Sequence, residues 1–62
     1  MKKTVKNLYD YARDYEYIVV NIDFETGDRW FYGAWDTLEG CREAIEEVDF
    51  REVLRNEEID WG

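Results

Sequence analysis

The chain has no histidine, no proline, a single cysteine and no long apolar run. Each absence narrows what the protein can do. Without histidine, the commonest general base and the usual activator of a nucleophile are gone. Cys41 alone permits no intramolecular disulfide, and no cationic segment leads into an apolar stretch of signal-peptide length, so a reducing cytoplasm is the expected compartment. The longest β-type apolar run, Tyr17-Ile18-Val19-Val20, falls far short of the roughly 20 residues that span a bilayer, and no membrane partner is expected. With no proline, low-complexity tract or internal repeat there is no linker, and the 62 residues read as one α+β domain.

Positive charge is also scarce. All three lysines lie in the first six residues, whereas residues 10–62 set five arginines against sixteen acids, a balance of −11 within a formal net charge of −8. Arg13, Arg29, Arg42 and Arg51 each have an acidic sequence neighbour. No basic stripe emerges, so direct binding of nucleic acid is not expected, and the acid excess points toward a cationic partner.

What the chain does have is aromatic mass. A domain of this size buries only about 60% of the surface its unfolded chain exposes, so large side chains must supply the core. Three Trp, five Tyr and three Phe do so within a composition that is 45% hydrophobic, which separates the chain from charged, aromatic-poor disordered sequences.

Residues 4–15 place Val5, Leu8, Tyr9, Ala12 and Tyr15 near one helical face, predicting an N-terminal helix. From Tyr17 the period becomes two, with Ile18, Val20, Ile22 and Phe24 on the buried face of a strand over about 17–24. Glu25-Thr26-Gly27-Asp28 makes the turn, and a second strand returns over about 29–35. Asp36 and Glu39 form a capping-box pattern ahead of a helix over about 37–48, whose stripe Leu38, Cys41, Ile45 and Val48 can lie on the hairpin. Gly40 weakens that helix and suits a close approach to the sheet. The same capping pattern at Asp49 and Glu52 predicts a short C-terminal helix over 50–57, with a third strand as the rival, and Ile59 and Trp61 as an extended tail.

The hairpin raises a question of faces. In Trp30-Phe31-Tyr32-Gly33-Ala34-Trp35, strict alternation sets Trp30 and Tyr32 on one side and Phe31 and Trp35 on the other. A four-residue loop, Phe24 to Gly27, places Phe31 beside Val20 on the core face; a three-residue loop reverses the choice. Either way two large aromatics leave the face of Ile18, Val20 and Ile22. The N-terminal helix covers them, or a partner does.

No catalytic, cofactor or metal site is expected. Cys41 lies on an apolar stripe and reads as an inert buried thiol. The neighbours Glu46 and Glu47, like Glu57 and Glu58, point in different directions and read as solvated charges. Asp23, Glu25 and Asp28 surround Gly27 with the wrong spacing for a calcium loop.

Asp36, Glu39, Glu43 and Glu46 or Glu47 recur at three- and four-residue intervals, an acidic helical row with a charge about every 4.5–6 Å. One strand of DNA carries a charge about every 3.4 Å along its axis, a coarse match. The row, with Trp30 and Tyr32 as apolar anchors, is the candidate partner-binding surface.

In character the chain resembles the small acidic, aromatic-rich inhibitors with which phages and mobile elements block host defences, the anti-CRISPR and antirestriction DNA mimics. The segment Gly33-Ala34-Trp35-Asp36-Thr37-Leu38-Glu39 is similar to the Gly-x-Trp followed by acidic residues and Leu of the longer ArdA antirestriction proteins. The resemblance implies a stoichiometric inhibitor whose carboxylates take the place of DNA phosphates on a basic nucleic-acid-binding protein. The alternative is a structural or adaptor module, a homodimer joined across the spare aromatic face.

Overall fold

In the computed structural model, which describes residues 2–62, an antiparallel sheet of three strands carries one α-helix. Strand β1 (Tyr17–Ile22) lies at the centre between β2 (Arg29–Trp35) and β3 (Arg51–Arg55), and helix α1 (Leu38–Glu47) joins β2 to β3. The third strand, the rival assignment for residues 50–57, is what forms; a single 3-10 turn, Asn56–Glu58, follows it. Val53 is a β-former, and pairing with the apolar β1 outweighs the local capping pattern.

The hairpin adopts the four-residue loop. The Asp23 amide donates to the Asp28 carbonyl at 2.9 Å, Gly27 takes φ +80°, and Phe31 faces Val20. The Asp23 carboxylate accepts from the Glu25 amide at 3.0 Å, so this acid serves the turn. Beyond Phe31 the register shifts: Val20 pairs with Phe31 but Val19 pairs with Gly33, leaving Tyr32 as the extra residue of a β-bulge. Strict alternation therefore fails in β2. Of the aromatics in β2, Trp30, Tyr32 and Trp35 lie on the α1 side of the sheet, and Phe31 faces the other way, with Ala34.

The two faces of the sheet are covered by different segments. On one, Ile18, Val20 and Leu54 pack with Val5, Ala12 and Ile59, flanked by Leu8, Phe31, Ala34 and Trp61. On the other, α1 lays Cys41 and Ala44 over the sheet beside Val19. Ile18, Val19 and Val20 are consequently all buried, where alternation had predicted one buried face. A central strand with a layer on each side has no solvent face.

The N-terminal helix is shorter than its periodicity suggests. Only Asp10–Asp14 is helical, as a 3-10 turn, and residues 2–9 form no helix. Lys3 bridges to Ile59 and Lys6 to Trp30, both in parallel, while Asn7 makes a turn at φ 59°. Backbone pairing with two distant segments satisfies the amides that a helix would otherwise use. The tail folds back as expected, and the Asn56 amide fixes it: Nδ2 donates to the carbonyls of Ala12, Arg13 and Tyr15, and Oδ1 accepts from Trp61 Nε1 at 3.1 Å.

Candidate protein-interaction surface

Helix α1 begins one residue later than the capping box implied. Thr37 is the N-cap, its Oγ1 accepting from the Gly40 amide at 3.0 Å, and Asp36 stands just outside the helix. The helix turns Cys41 and Ala44 to the sheet. The expected stripe is thereby split: Cys41 is buried, Ile45 and Val48 are half-buried, and Leu38 is 57% exposed. Glu39, Glu43 and Glu46 fall on the outward side of the helix and are exposed.

The acidic row is real as a surface but uneven in charge. Arg42 sits between Glu39 at 3.5 Å and Glu46 at 3.3 Å and offsets part of both. Glu47 turns to the flank, where it bonds Arg51 at 2.8 Å. Asp36 leaves the row and lines a polar cleft of about 400 Å³ with Asp14, Glu16 and Glu57. Glu43 and Asp36 have no ion-pair partner among the described residues.

The cations are all employed internally. Every arginine, with Lys3 and Lys6, pairs with a carboxylate, and Lys2 donates to the Glu57 carbonyl at 2.9 Å. The surplus of the surface is therefore carboxylate. Two of the pairs hold structure. Lys6 at 3.0 Å, aided by Thr26, draws the Asp28 carboxyl below its ordinary range; the Arg55 amide, with Lys3 behind it, does the same to Glu58. Burial pushes the Cys41 thiol upward, away from thiolate reactivity.

No known protein family, curated protein or solved structure matches this chain.

The aromatics fall into two groups. Trp30 and Tyr32 are 43% and 42% exposed at the margin of the α1 face, but each already carries a cation: Lys6 Nζ lies 5.6 Å from the Trp30 ring and the Arg51 guanidinium 3.7 Å from that of Tyr32. The remainder of this sheet face is occupied by α1. On the opposite side Tyr9 stacks on Phe31 at 5.4 Å and Tyr11 meets it edge-on at 5.9 Å, so the N-terminal segment covers Phe31 as a loop rather than as a helix.

Sequence reasoning did not single out Arg51. From β3 it bonds the Asn21 side chain, the Ala44 carbonyl near the end of α1 and Glu47, and it stacks on Tyr32. The last turn of α1 contains no basic residue, the one local sign that its carbonyls take a cation from elsewhere. Nor did it foresee the groove of about 350 Å³ between Leu38, Cys41, Ile45 and Val53, which is what the split stripe leaves open. Among the described residues no helix is long and apolar enough to cross a membrane.

Proposed function

We propose that this protein is a non-enzymatic, cytoplasmic inhibitor that occupies the cationic nucleic-acid-binding site of another protein, of the kind that phages and mobile elements direct at host defence effectors. One observation carries the reading: arginines and lysines are consumed in internal pairs, so a chain of net charge −8 presents carboxylates to its surroundings. Asp36, Glu39, Glu43 and Glu46 are the groups that meet the target's arginines and lysines, with Tyr32 beside Glu43 and Trp30 as a further apolar anchor. Long-range attraction of this sort accelerates association and is screened by salt.

The test is competition. The protein is titrated into complexes of a labelled DNA duplex with an RNA-guided nuclease or a type I restriction enzyme. Displacement that weakens at least tenfold between about 0.05 and 0.2 M salt is expected. The variant D36K/E39K/E43K is expected to lose displacement while retaining its circular dichroism spectrum. Glu47 is left intact because reversing it would place a cation against Arg51, whose side chain is only 10% exposed. Displacement that persists undiminished in the triple variant and at high salt would end the mimicry reading.

A further inference from the structure

Strand β3 is an edge strand, and its outer side is open. The Ile22 amide bonds the Phe50 carbonyl and the Asn56 amide bonds the Glu16 carbonyl, so Phe50, Glu52, Leu54 and Asn56 turn their backbone groups toward β1. Arg51, Val53 and Arg55 therefore turn theirs outward. The other edge of the sheet, on β2, is partly closed by Lys6, which bonds the Arg29 carbonyl and the Phe31 amide. Among the described residues no segment does the same for β3. Charged side chains ordinarily guard an open edge. Here Arg51 is drawn back onto α1 and Tyr32, its side chain only 10% exposed, and Arg55 is held by Glu16.

The Glu58 carboxylate accepts from the Arg55 amide at 2.8 Å, which leaves Arg51 and Val53 as the residues of β3 with both an open donor and an open acceptor. That pattern is self-complementary. A two-fold axis at Glu52 sets Arg51 of each copy opposite Val53 of the other, and the two pairs use every one of these groups. Registers centred on Val53 or Leu54 need the Arg55 amide, which is already taken. We infer that two copies of this chain join antiparallel along β3, about an axis through Glu52 and normal to the sheet, making one sheet of six strands. Phe50 of each copy then faces Leu54 of the other. Asp49, exposed and without an ion pair among the described residues, comes level with the copy's Arg55. Both α1 helices lie on one face, and the grooves lined by Leu38, Ile45 and Val53 open toward each other. Opposing these contacts are the charge of −8 on each copy and the two Glu52 side chains, neighbours at the axis, each offset in part by its own Arg29 at 2.8 Å. The dimer is therefore weak at low salt, and screening strengthens it. Salt acts in the opposite sense on the competition proposed above, and the interface uses none of Asp36, Glu39, Glu43 and Glu46, so either can fail alone.

Sedimentation equilibrium at up to about 1 mM protein, the weak end of specific association, is expected to show a monomer–dimer equilibrium. Its Kd should fall about threefold or more between about 0.05 and 0.5 M salt. Amide exchange should slow with protein concentration at Arg51 and Val53 and stay unchanged at Glu52 and Leu54, which already bond β1. Cross-linking reads the register. E52C sets two thiols across the axis on residues about 4.5 Å apart at Cα, within disulfide reach, whereas those of V53C stand diagonally at about 7–8 Å. Under copper-catalysed oxidation by dissolved oxygen, E52C is expected to give covalent dimer several-fold faster than V53C, and an equal or reversed order would overturn the proposed axis. A protein that stays monomeric throughout, or a dimer that leaves exchange at Arg51 and Val53 unchanged, would overturn the proposal.

Discussion

The guanidinium of Arg51 joins three elements through one planar group: Nε donates to Asn21 at 2.9 Å, Nη1 to the Ala44 carbonyl at 2.9 Å and to Glu47 at 2.8 Å, and the plane lies on Tyr32. Lysine cannot reproduce that fork. R51A leaves the carbonyl and amide without their donor and is expected to cost about 2–4 kcal/mol, from charged hydrogen bonds of about 1.5–3 kcal/mol each less the side-chain entropy recovered. A chain of this length has only about 3–9 kcal/mol in total. In urea denaturation R51A should therefore lose a large part of its stability and R51K should recover only some of it; equality of R51K with wild type would show that charge alone matters. Asp28 and Glu58 carry a second residue-scale expectation. Both have folded pKa values lowered, by Lys6 first for Asp28 and by the Arg55 amide first for Glu58. A depressed folded value means that the folded state binds fewer protons than the unfolded one. Their contribution is thus fully present above the unfolded value of about 4 and is lost as pH falls through the folded value. The double variant D28N/E58Q should give a flatter acid limb in urea midpoints than wild type. An identical acid limb would place the pH dependence elsewhere.

At the scale of elements the decisive packing is that of Trp35 with two glycines. A Cβ at Gly33 would stand 2.8 and 2.9 Å from atoms of the Trp35 ring, and one at Gly40 would stand 3.0 Å from Cδ1 of the same ring. The ring is thus held between β2 and the first turn of α1. G33A is expected to cost about 1–3 kcal/mol by overpacking. G40A should cost less than G33A, because helix propensity returns up to about 1 kcal/mol against contacts of 3.0 Å to Trp35 and 3.3 Å to Thr37 Oγ1 that require a small shift of both neighbours. Near-UV circular dichroism and urea midpoints check this order, and a larger loss for G40A would contradict it. The close approach at Gly40 was legible in the sequence, as were the hairpin, the extent of α1 and the acidic surface, since each rests on local periodicity or turn chemistry. The bulge at Tyr32 was not, because nothing in the Phe-Tyr-Gly run distinguishes an extra residue from a regular one. Its effect was to move Trp35 across the sheet. The stripe of α1 misled because it is offset from the contact: the buried arc is centred on Cys41 and reaches Ala44 on one side, which leaves Leu38, at the other edge of the stripe, outside. The N-terminal helix failed where Lys3 and Lys6 found backbone partners 56 and 24 residues away, pairings that no window of local sequence contains.

Those long-range pairings decide how the whole molecule holds together. Among the described residues one α-helix covers the sheet, and its other face is closed by the N-terminal segment through Val5 and Ala12 and the tail through Ile59 and Trp61. The ends also bond one another: Lys3 donates to the Glu58 carbonyl at 2.7 Å and Asp60 to the Lys3 carbonyl at 2.8 Å. Ile59, wholly buried, lies where the two ends meet. Truncating such a side chain to alanine costs about 2–5 kcal/mol, against the about 3–9 kcal/mol available to a domain of this size. I59A is therefore expected to bring the protein close to its unfolding midpoint at room temperature. Hydrogen exchange should quicken at the Lys3 and Asp60 amides, where the two ends pair, before it does in β1. The outward carboxylates of α1 lie on the opposite face, so the same opening should leave the helical circular dichroism signal in place until the sheet itself gives way. A loss below about 1 kcal/mol, with exchange at Lys3 unchanged, would mean that the ends of the chain are ornaments on a hairpin and helix that stand alone.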